Sequence, residues 1–146
     1  MKKNGYVLLV GGIGMDNINS GLTQIGFNLL IGNTPERFQR LAQGQNYHGV
    51  ILADNIIISG ANHLDQAARL NGLCELLKEL ETLRTSDLQR VWLLTRIIPR
   101  EAWKKFAPFE MVQEIRKIVT PVVFASDIRT WLNVNWPLKR AKGRNA

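Results

Sequence analysis

The chain has a single cysteine, Cys74, and only two histidines, His48 and His63. One cysteine excludes an internal disulfide and any multi-cysteine metal site, and it suits a reducing compartment, so a cytoplasmic location is expected. The setting Leu73-Cys74-Glu75-Leu76-Leu77 points to a buried helical thiol, not a nucleophile. Neither histidine stands at metal-ligand spacing from a second donor, and no metal is expected. Ser59, His63 and Asp65 lie close in sequence but match no GxSxG elbow, which argues against a hydrolase triad. No run approaches the roughly 20 apolar residues of a membrane span. Tyr6 to Val10, behind Lys2 and Lys3, is also too short for a signal-peptide core. A P-loop GxxxxGK[ST] and a GxGxxG fingerprint are both missing. Acids are scarce too, 12 against 19 lysines and arginines, for a net charge of +7. Lys139, Arg140, Lys142 and Arg144 supply four of those positive charges, so much of the excess belongs to the C-terminal tail.

What remains is a chain of 146 residues, 45% apolar and 21% charged, enough for one packed domain over 1–136 with a basic tail over 137–146. Its organising stretch is Gly49 to Gly60. Val50, Ile51 and Leu52 form an uninterrupted apolar run, the pattern of a strand buried on both faces of a parallel sheet. Asp54 ends it. In open parallel sheets ligands collect outside the carboxyl ends of the strands, so an acid there is a candidate site residue; the alternative is a turn or N-cap aspartate.

Along the chain, Tyr6 to Val10 reads as a first strand that breaks into Gly11, Gly12, Ile13 and Gly14. A helix then starts at Asp16 or Asn17, carries Ile18, Leu22 and Ile25 on one face, and stops at Gly26. Phe27 to Ile31 is a second strand. Thr34-Pro35-Glu36 announces the next helix with a capping threonine, a proline at N1 and an acid in the first turn. After Gly60 comes a long helical region, broken or bent near Asn71-Gly72, with Leu73, Leu76, Leu77, Leu80 and Leu83 as its core stripe. Val91 to Thr95 is a fourth strand. Glu101 to Ile118 reads as a helix kinked or divided at Pro108, Pro121 to Ala125 as a fifth strand, and Asp127 to Trp131 as the start of a last short helix. The βαβαβ alternation argues for a parallel sheet with helices on both faces.

Two regions are candidates for chemistry. The loop Gly11, Gly12, Gly14 with Asp16, and the turn Asn33-Thr34, resemble phosphate-side turns of nucleotide-binding sheets. That supports an alternative reading as a nucleotide- or NADP-binding Rossmann-like protein. The second region is the carboxyl-end cluster where Asp16, Asp54, Asn55, Thr95, and Ser126 or Asp127 would meet.

At this cluster the segment Tyr47 to Gly60, with Asp54 after the third strand, resembles the phospho-acceptor segment of response-regulator receiver domains. Gly26-Phe27 with its strand resembles their second-strand feature, and Leu93-Leu94-Thr95 is similar to their fourth-strand end, with Thr95 as the switch hydroxyl. Receivers hold Mg²⁺ with a pair of acids after the first strand, where this chain has Gly11 and Gly12. They also carry a lysine after the fifth strand, and Phe124-Ala125-Ser126-Asp127 has none. Phosphoryl transfer is catalysed mostly by such charges. The resemblance therefore implies a pseudo-receiver: a flavodoxin-like, doubly wound five-stranded parallel sheet of order 2-1-3-4-5, not an enzyme and without a cofactor, serving as a regulatory or signalling module. It implies a protein partner, or a second copy in a homodimer, at an aromatic surface of Trp103, Phe106 and Phe109. A third reading takes Lys139, Arg140, Lys142 and Arg144, near Trp131 and Trp136, as a nucleic-acid contact.

Overall fold

In the computed structural model, the structure describes residues 3–44, 46–57, 66–84, 86, 88–106, 108–118 and 120–136. Ser59, His63, Asp65 and the basic tail lie outside the described residues. Five strands, β1 (Val7–Gly11), β2 (Asn28–Gly32), β3 (Gly49–Ala53), β4 (Arg90–Leu94) and β5 (Val112–Ile115), form one sheet in the order β2-β1-β3-β4-β5. Every neighbouring pair is parallel. This is the flavodoxin-like arrangement with its switch point between β1 and β3. All five residues of β3 are buried, as the apolar run requires of a central strand.

Alternate residues of each strand feed opposite cores. Leu9, Val50, Leu52, Val91 and Leu93 face α2 (Pro35–Gly44) and α3 (Gln66–Leu83). Leu8, Val10, Ile51, Ala53, Trp92 and Leu94 face α1 (Asp16–Ile25) and α4 (Pro121–Asn135). The ends of α1 and α2 follow their sequence signals. Gly26 closes α1 in the left-handed region at φ 103°, and Thr34 Oγ1 accepts from Arg37 N–H at 3.2 Å at the start of α2. Helices α1 and α4 pack so closely that a Cβ on Gly21 would lie 2.8 Å from Pro121.

Three elements differ from the sequence expectation. First, α3 runs without a break through Asn71-Gly72, and Gly72 lies at a close packing contact where a Cβ would come within 3.1 Å of Ile57. Second, the connection from β4 to β5 is a 3-10 turn over Arg100–Lys105 instead of a long helix, and β5 lies at Val112–Ile115. Third, Pro121 to Ala125 is the first turn of the 15-residue α4, not a strand. The cause is local: Thr120 Oγ1 accepts from Val123 N–H at 3.1 Å, and Pro121 occupies the first helical turn.

Candidate functional site at the carboxyl edge of the sheet

Asp54 follows β3 directly and opens a 3-10 turn over Asp54–Ile57. Its side chain points inward: the residue is 1% exposed. One oxygen, Oδ2, accepts from the backbone N–H groups of Ile97 and Ile98 at 2.9 and 3.0 Å. The other, Oδ1, is buried with no hydrogen-bond partner among the described residues. Burial raises the carboxyl pKa above its ordinary value; the two backbone donors and the guanidinium groups of Arg116 and Arg69 act in the opposite sense. The carboxylate therefore holds the loop after β4 against the end of β3.

Thr95, also 1% exposed, follows β4. Its hydroxyl donates to Glu114 Oε2 at 3.0 Å. The same oxygen lies 2.6 Å from Arg116 Nε. Arg116 Nη1 donates in turn to the carbonyls of Thr95 at 3.1 Å and Ile98 at 2.8 Å. Asp54, Thr95, Glu114 and Arg116 thus line one polar seam through the ends of β3, β4 and β5.

The neighbouring end of β1 is closed by Asn55. Its amide donates to Ile13 C=O at 2.8 Å and its Oδ1 accepts from Ile13 N–H at 3.0 Å. Gly12 passes beneath this clasp at φ 154°, where an added Cβ would lie 2.7 Å from Ala53 Cβ. An added Cβ on Gly11 would meet the Phe38 ring at 2.5 Å. Of the glycine-loop candidates, only Gly14 opens onto free space. Beside it lies a cavity of about 210 Å³ lined by Gly14, Asn17, Ile18, Arg96, Ile118 and Pro121.

The structure brings together Asp54, Asn55 and Thr95 as the sequence suggested, and separates the others. Asp16 is exposed on the first turn of α1 and lines a groove beside β2. Thr34 is occupied as the cap of α2, and Asn33 is exposed beside it. Ser126 and Asp127 lie within α4, more than a turn from its start. Phe106 is fully buried, and Trp103 and Phe109 pack half-buried against the same core. Phe106 is a core residue and cannot anchor a partner. The assignment of the fifth strand also moves the residue that follows it: the sheet edge carries Arg116 and Lys117, so a cation does stand after β5. Glu114 and Arg116 escaped notice for that reason alone. The signal that would have found them is Thr120-Pro121, the same helix start as Thr34-Pro35. Cys74 is half-buried on α3, its thiol pKa pushed up by burial, in keeping with an inert thiol.

Among the described residues no group of three or more His, Cys, Asp or Glu side chains is placed to hold a metal ion. No helix among them is long and apolar enough to cross a membrane.

No protein-family model matches the chain, and no curated protein matches it in sequence. Solved structures do match in fold. A CheY-like response regulator receiver domain protein from Methanospirillum hungatei superimposes with a TM-score of 0.66 at 15% identity, covering 92% of this chain and 97% of that one. A two-component response regulator from Clostridium difficile gives 0.63 at 14% identity, covering 88% and 96%. The BeF3-activated DrrB receiver domain gives 0.61 at 17%, covering 91% and 99%. DrrB is a Thermotoga maritima protein. The chain has the flavodoxin-like fold of CheY-like response-regulator receiver domains.

Proposed function

We propose that this chain is a regulatory module on a receiver scaffold that acts through protein association and does not relay phosphate. The observation that carries the reading is the position of Asp54. A phospho-acceptor must offer an oxygen to an incoming phosphoryl group, whereas this carboxylate is 1% exposed and its Oδ2 is held by two backbone N–H groups. The surroundings do not fit the divalent ion of receivers either. The last residue of β1 and the one after it are Gly11 and Gly12, and the space above Gly12 is closed by the Asn55 clasp. Arg116 does supply a cation after β5, but it is paired with Glu114. Phosphoryl transfer depends on charge aimed at the developing transition state, and here the available charge is tied to the protein itself. Glycines in place of acids and an enclosed carboxylate, not the lack of a cation, set this site apart from a phosphate relay.

Incubation with a small phosphodonor and Mg²⁺ followed by intact-mass measurement tests it. The expected result is an unmodified chain. A stable phosphoryl adduct on Asp54 would overturn the reading. The nucleotide-binding alternative has less support, because Ile13 N–H, one donor such a loop would aim at phosphate, is already bonded to Asn55. A ligand at 100 times its Kd would raise stability by about 2.7 kcal/mol, so an unchanged melting temperature with nucleotides is the expected outcome.

A further inference from the structure

The strand β2 lies at one edge of the sheet. The N–H of Asn28 donates to Tyr6 C=O, and Gly32 C=O accepts from Gly12 N–H. Even-numbered residues of β2 therefore turn their backbone groups to β1, and Leu29 and Ile31 turn theirs outward. Edge strands are normally blunted by a charge, a proline or a bulge. β2 reads Asn-Leu-Leu-Ile-Gly with none of these, and its pairing to β1 is regular throughout. The opposite edge strand, β5, carries Glu114. Ile31 is 43% exposed. It and Leu29 form one wall of an open groove of about 880 Å³, whose other wall is the short polar face Asn19, Ser20, Thr23 and Gln24 of α1. A further strand laid on this edge would find outward backbone groups and room for its side chains.

The charges at the two ends of the groove select the occupant. At the amino end, Lys3 Nζ donates to Asn28 Oδ1 at 2.5 Å. Near the carboxyl end stands Asp16, opening the helix that follows β1, whose Gly11 pairs with Gly32. Two copies related by a two-fold axis through Leu30 run antiparallel, so each Lys3 faces the Asp16 end of the other. We infer that β2 is a homodimer edge, pairing Leu29 with Ile31 of a second copy to continue the sheet across both chains. A chain of net charge +7 can associate there because the strand itself carries no charge. One group stands guard: Arg37 Nε donates to Ile31 C=O at 3.3 Å and must leave for the strands to pair. The inference does not depend on the fate of Asp54, so it can fail while the reading above survives, and the reverse.

Sedimentation analysis of the full chain over a concentration series tests it, with circular dichroism confirming that each variant is folded. The expected result is a monomer–dimer equilibrium visible below about 1 mM. Ile31→Lys should weaken it at least about tenfold, since a charge on an edge strand blocks pairing. Arg37→Ala should strengthen it. Lys3→Glu should weaken it and Lys3→Glu with Asp16→Lys should restore it, because only an antiparallel second copy brings those two residues together. A chain that stays monomeric throughout the series, including one that instead binds an unrelated extended peptide, overturns the inference. So does a dimer indifferent to Ile31→Lys.

Discussion

Replacing Asp54 gives a direct measure of what the buried carboxylate does. In Asp54→Ala, the N–H groups of Ile97 and Ile98 lose their acceptor. The Ile98 bond is buried and the Ile97 bond only part-buried. An orphaned buried donor costs about 1–3 kcal/mol, and the less buried one recovers part of its loss from water. Removing a desolvated carboxyl offsets some of the total, so the expected net loss is about 2 kcal/mol in urea unfolding. Asp54→Asn keeps an acceptor oxygen for both donors and should lose about 1 kcal/mol less than the alanine variant. Burial raises the folded-state pKa above the ordinary 3.8. Between 3.8 and that raised value the unfolded chain has released the proton and the native chain still holds it, so this contribution to stability falls as pH rises. The wild-type minus Asn difference, measured from pH 3 upward, should therefore be largest at low pH and decline through this window. An alanine variant within about 0.5 kcal/mol of wild type would refute the assignment of Asp54 as a loop anchor, and a difference that grows with pH would show that the two N–H donors outweigh burial in setting its pKa.

Three further outcomes follow from the same structure. Gly12→Asp, which puts an acid where receivers have one, should destabilise by about 2 kcal/mol or more, because φ is 154° and a Cβ there lies 2.7 Å from Ala53; thermal melts will read it. His48 has its pKa lowered by burial, and Val7 N–H donates to its Nδ1 at 3.1 Å. Below its ordinary 6.5 the unfolded chain takes up a proton that the native chain refuses, so stability should drop on acidification from pH 7, and His48→Asn should flatten that part of the profile. Thr120→Ala removes the cap of α4 and should cost about 1 kcal/mol in chemical denaturation, whereas a strand at 121–125 would show no such dependence on Thr120.

The first half of the fold was readable because its signals are local and redundant. A continuous apolar run announces a doubly buried strand, Gly26 can take the left-handed backbone that ends α1, and Thr34-Pro35-Glu36 caps α2. The second half hid its edge strand. Val-Gln-Glu-Ile at β5 has polar residues at its centre where the strand is only half-buried, while Pro-Val-Val-Phe-Ala, with two β-branched valines and an aromatic, has strand composition but follows a capping threonine. Composition outweighed the cap, and the cation after β5 was lost with it. At the site, Asp54 and Thr95 were legible from their place at strand ends. The Asn55 clasp was not, since it joins residues distant in sequence, and the Glu114–Arg116 pair was not, since its strand, with Gln113 and Glu114 at the centre, lacks the usual strand composition. Phe106 looked like an anchor only on the assumption of an exposed helix. A 3-10 turn instead folds it inward.

The seam through Thr95, Glu114 and Arg116 has a mechanical consequence. The Thr95 hydroxyl donates a hydrogen bond to Glu114, Glu114 holds Arg116, and Arg116 returns to the carbonyl of Thr95, so the three form a closed circuit. Turning the threonine about its side-chain bond would break the link to Glu114 and open the circuit, leaving the Glu114–Arg116 pair in place. The ends of β4 and β5 are thereby tied to one another through side chain and backbone alike, beyond the pairing of the strands themselves.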